Sequence, residues 1–160
     1  MEITPQTVAD EHERLRARGS IPELINETRD RLGQLFGVDV AHVSAEQYRN
    51  EVDAVFADGD KAVNVAALCA LLRTLDCEGD YPGFIVDEFL GRKLAATIAG
   101  GEPFALLAEA TFHFADAHTR GGPEAPAGAD DLDAALAAGF QTRLPGWGWT
   151  DEPSPFVSNR

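Results

Sequence analysis

The sequence predicts an all-α protein: a six- to seven-helix orthogonal assembly that ends in an extended arm rich in proline, glycine and aromatic residues. Three observations lead there. Apolar residues recur at three- and four-residue spacing in segment after segment, no stretch alternates in the manner of a strand, and capping residues or glycines punctuate the chain at helical lengths. At 160 residues the chain suits one domain, long enough to remove about two-thirds of its unfolded surface from water. The expected layout is a helical body over 1–120, a linker over 121–130 whose "GGPEAPAG" is too rich in proline and glycine for regular structure, and a short helix plus arm over 131–160.

The first helix starts where Thr4 can cap and Pro5 can occupy the first turn, and it runs to about Arg18 with few apolar contacts besides Val8 and Leu15. In the next, Ile21, Leu24, Ile25, Thr28, Leu32, Leu35 and Phe36 fall on one face and Gly37 supplies a stop. A third is announced by Ser44 and Gln47 as a capping box, with Val43 and Tyr48 as a hydrophobic staple and Val52, Val55 and Phe56 continuing the buried edge. Asp60 then caps "KAVNVAALCALLRTLDCEG", which is apolar almost all round and so is expected at the centre, covered on several faces. Tyr81 to Ala99 offers Phe84, Ile85, Phe89, Leu94 and Ile98 for burial, with Glu88 and Arg92 paired at i,i+4. Glu102 to His118 is the next helix, with Phe104, Leu107 and Phe114 turned inward, and a short alanine-rich helix from about Asp131 to Ala138 precedes the arm.

Composition narrows the function classes. With 27 acidic against 13 Lys and Arg residues the net charge is −14, a surface that repels nucleic-acid phosphate and anionic lipid. The acid excess fits either a salt-adapted cell or a GC-rich genome. No segment approaches the roughly 18 apolar residues that span a bilayer, and the N-terminus lacks a signal-peptide core, so a cytoplasmic protein, or one within an intracellularly assembled particle, is expected. Cys69 and Cys77 lie about 12 Å apart along one helix and cannot bridge; Cys69 is expected in the core. The glycine fingerprints of nucleotide sites, the nucleophile elbow and the zinc-protease motif are missing.

The segment most suggestive of chemistry is "EATFHFADAH", where Glu109, His113 and Asp116 share one helical stripe and could chelate a divalent transition metal if a second helix added ligands. The plainer account is the solvated face of an amphipathic helix. His118, on another side, is either a proton carrier in a separate pocket or a helix C-terminal cation. Asn64 is the polar side chain of the central helix that would need a partner if buried. Arg14, Arg16 and Arg18 are neutralised locally by Glu11 and Glu13 and make no phosphate clamp; His12 and His42 are expected as surface residues without partners.

The arm carries both tryptophans in "PGWGWTDEPSPF". Trp147, Trp149 and Phe156 are the candidate partner-binding residues, because large aromatic groups on an extended, proline-held chain suit a groove. That groove belongs either to the chain's own body or to another protein or second copy. The leading expectation is therefore a non-enzymatic helical interaction or assembly protein, an adaptor or structural subunit of a cellular or viral complex, that needs no cofactor. It acts on a protein partner or self-associates, without nucleic acid or membrane. The alternatives are a metal-dependent enzyme or small-molecule binder built on Glu109, His113 and Asp116 or on His118, and an acidic regulator that mimics nucleic acid.

Overall fold

The computed structural model describes residues 1–78, 85–101, 103–117 and 127–147, and among these residues it holds seven helices and no strand. They are α1 (Pro5–Arg16), α2 (Ser20–Phe36), α3 (Ala45–Ala57), α4 (Gly59–Thr74), α5 (Val86–Ala99), α6 (Phe104–Asp116) and α7 (Ala127–Gln141). The fold is all-α, as the periodicity predicts.

Local chemistry sets the starts. The Thr4 hydroxyl accepts from the Thr7 amide and Thr7 returns the bond, with Pro5 in the first turn of α1. Ser44 and Gln47 form the same reciprocal box at α3, and the staple pair Val43 and Tyr48 is buried. At α4 the cap is Asp58, whose carboxylate accepts from the Lys61 amide; the expected Asp60 lies inside the first turn instead. Gly37 ends α2 in the left-handed conformation, φ 66°, that glycine adopts without strain.

Packing differs from the sequence expectation in one important respect. The central element is α7, which runs from Ala127 to Gln141 rather than only through Asp131–Ala138 and meets α2, α3, α4, α5 and α6. Leu132, Leu136, Phe140 and four alanines of α7 are fully or almost fully buried. Alanine gives a thin helix that others can approach from all sides, so its lack of an apolar stripe reflects complete burial rather than a peripheral place. Two glycines bring neighbours closest: a Cβ on Gly128 would lie 2.2 Å from the Leu72 carbonyl oxygen of α4, and one on Gly139 would lie 2.8 Å from Ile98 Cβ of α5. The main core joins Leu15, Ile25, Val52, Leu72, Leu94, Ile98 and Phe112 to this helix, and Tyr48 meets Phe140 edge-on at 5.4 Å. Helix α4 buries Val65, Cys69 and Leu72 but leaves Val63 and Leu71 exposed, and Asn64 is exposed too, so the question of a buried amide there does not arise.

Ion pairs tie the peripheral helices down. Glu11 of α1 is buried and bonds Arg73 of α4 through both carboxylate oxygens, one contact at 2.8 Å. Arg16 and His12 both reach Asp53 of α3, and His12 stacks on Phe56 at 4.7 Å, so His12 is not the partnerless surface residue expected. Arg18 pairs with Asp133 of α7 at 2.5 Å, and His42 with Asp30 of α2 at 2.7 Å. Arg16 of α1 and Arg18 just after it are therefore clamps to other helices, whereas Arg14 pairs with Glu11 within α1.

Candidate docking surface at the end of α2

Two turns before its end, α2 buries an arginine. Arg29 lies four residues after Ile25 and three before Leu32, inside the apolar arc of α2, and it is 0% exposed. Its Nη2 donates to the carbonyls of Gln141 and Leu144 at 2.9 and 3.1 Å, and its Nη1 to Pro145 and Ala41 at 2.6 and 2.7 Å. Three of these acceptors belong to the C-terminal end of α7 and the turn after it, where helix carbonyls lack intrahelical donors and the dipole is negative. Burial pulls the Arg29 guanidinium down to about 10, so it stays charged at neutral pH.

Trp147 completes this arrangement. Its ring lies over the Arg29 guanidinium, 5.6 Å from Cζ to centroid, and its indole N–H donates to the Gln141 side chain at 2.7 Å. Only 3% of it is exposed, among Leu32, Val40 and Phe114. Of the two grooves open to Trp147, it occupies the one on its own chain. Trp149 and Phe156, the other two aromatic candidates, lie outside the described residues, as does His118.

Beyond this anchor the apolar arc of α2 leaves the body. Leu35 is 67% exposed, Phe36 68% and Val38 51%. The sequence places Leu35 and Phe36 on the buried face; the physical reason they are not buried is that Trp147 and Val40 already cover Leu32, and α2 extends one turn past that contact. Val38, but neither Leu35 nor Phe36, lines a cavity of about 440 Å³ walled by residues 29, 30, 33 and 34 of α2 and by residues 37–40 of the connection to α3. Two carboxylates, Asp30 and Asp39, stand in that wall, and the last turn of α2 carries no basic residue. A second apolar group, Ile85, Val86 and Phe89, is exposed at the start of α5, where Arg92 covers the Phe89 ring at 5.0 Å; burial was expected for Ile85 and Phe89. Phe84 and Tyr81 lie outside the described residues.

The three α6 residues considered for a metal are drawn to different neighbours. His113 Nδ1 meets Glu88 of α5 at 2.9 Å, in place of the Glu88–Arg92 pair expected, while Asp116 hydrogen-bonds Asp131 of α7. Glu109 is half-buried on the same helix. Among the described residues no group of three or more His, Cys, Asp or Glu is arranged to hold a metal ion. Asp131, buried where α7 meets α5 and α6, is a feature the sequence reading missed: burial first, then hydrogen bonding to the carboxyl groups of Asp116 and Asp87 and their negative charge, raise it well above the ordinary carboxylate range. Two carboxyl groups can share a hydrogen bond only through a proton, so Asp131 is held protonated. No pattern in "AGADDLDAALAAG" distinguishes Asp131 from Asp130 or Asp133. Arg29 was missed as well, although its place four residues after Ile25 and three before Leu32 was a signal that could have found it.

No helix among the described residues is long and apolar enough to cross a membrane. No curated protein and no solved structure matches the chain. A family profile does match it from end to end, residues 1–160, and the chain belongs to that family, described as Domain of unknown function (DUF7984).

Proposed function

We propose that this chain is a helical interaction or assembly protein whose docking surface is the projecting end of α2. The observation that supports the reading is the adjacent exposure of Leu35, Phe36 and Val38 on a rigid support, with Gly37 capping the helix between them. Large apolar side chains exposed singly are ordinary, whereas three within four positions at one helix end, the last of them lining a cavity, are what a partner's side chains can use. Their support is fixed by the Arg29 and Trp147 contacts, so little ordering is lost when a partner binds.

The test is comparative co-purification from native cells with the wild-type chain and a Leu35→Ser/Phe36→Ser variant. Because both side chains already face water, the variant is expected to keep its unfolding free energy within the range of ordinary surface substitutions, about 0.5 kcal/mol. The expected result is at least one protein, or an untagged copy of this chain, retained by the wild type and reduced at least about tenfold with the variant. Equal retention by both would contradict the reading.

A further inference from the structure

We infer that the α2 surface takes a cationic, apolar segment of a partner protein, with a Lys or Arg side chain seated in the cavity and a neighbouring large apolar residue on Leu35, Phe36 and Val38. The inference rests on the docking reading above and specifies its partner. Three features of the site converge on a cation. Asp30 and Asp39 contribute carboxylates to the cavity wall. The negative end of the α2 dipole terminates there without a basic residue in its last turn. The one cation in the wall, Arg29, has its guanidinium directed at four carbonyls and covered by Trp147. Asp30 already pairs with His42 at 2.7 Å, so the incoming cation is assigned chiefly to Asp39.

Size and long-range charge agree. A cavity of about 440 Å³ accommodates one long side chain and its bridging waters rather than a helix or a sheet edge. The net charge of −14 opposes a second copy of this chain and any acidic protein, and it steers a basic segment inward.

The experiment pans a phage-displayed library of random dodecamer peptides against the full chain and measures the affinity of enriched peptides for four proteins. These are the wild type, Asp30→Asn/Asp39→Asn, Phe36→Ser, and Glu2→Gln/Glu13→Gln, which removes two exposed acids from the N-terminal segment and α1. The expected peptides place Lys or Arg beside a large apolar residue, bind about tenfold more weakly to each of the second and third proteins, and change less than about twofold with the fourth. Enrichment of acidic or purely apolar peptides, or no enrichment, would overturn the inference. So would an equal loss with the Glu2/Glu13 variant, since the attraction would then belong to the whole acidic surface. Peptides that lose affinity with Phe36→Ser and keep it with Asp30→Asn/Asp39→Asn would leave the docking reading standing and remove its cationic partner. Peptides indifferent to both would remove both.

Discussion

A guanidinium buried without water must find an oxygen for its N–H groups, and Arg29 finds four carbonyls, three of them at the end of α7 and in the turn after it. One residue of α2 thereby caps a helix more than a hundred positions away and seats Trp147. Asp131 shows the opposite behaviour, a buried acid that keeps its proton. In the folded chain it is protonated at neutral pH, whereas in the unfolded chain it ionises near its ordinary value of about 4. The unfolded state therefore binds fewer protons above that pH, and stability falls as pH rises from about 4 toward the raised folded value. Asp131→Asn removes the titration while retaining an N–H donor for Asp116. It is expected to be more stable than wild type at pH 8 by about 1–2 kcal/mol, with the difference shrinking toward zero near pH 4. Thermal unfolding of both proteins across this range checks the sign; a variant less stable than wild type at pH 8 would mean that Asp131 is ionised in the fold.

Among the elements, the helix starts were the most legible, because capping is local chemistry: Thr4 with Pro5 and Ser44 with Gln47 do what their spacing predicts. The helix that matters most was the least legible. In α7 the fit depends on glycine and alanine at contacts made by distant parts of the chain, and periodicity carries no record of such partners. Gly128 is the sharpest case, since its amide donates to the Leu75 carbonyl at 2.9 Å while its missing Cβ leaves room for the Leu72 carbonyl. Gly128→Ala is expected to lower stability by about 2–3 kcal/mol through overpacking against backbone. Gly59→Ala, at the first position of α4 with nothing within 4 Å of the new methyl, is expected to be neutral or slightly stabilising. Denaturant unfolding of the two variants measures the contrast; equal effects would show that α7 can move away from α4 without loss.

For the molecule as a whole, the acidic composition and the all-α class could be read from the sequence, but the site could not. The apolar arc of α2 was visible, yet which of its residues are covered depends on where Trp147 lands, and that is decided by Arg29 and by the end of α7. The aromatic tail drew attention to Trp147, which is buried against Leu32 and Val40 of its own chain, while the exposed apolar groups are Leu35, Phe36 and Val38. The central claim is that this projecting end of α2 is where another protein docks. The most direct test places a photo-crosslinking phenylalanine analogue at position 36 in the full chain, in its native cells, with the same analogue at exposed Glu46 on α3 as the reference. The account predicts discrete protein adducts from position 36 that position 46 does not yield. No adduct from position 36, or the same adducts from both positions, would contradict it.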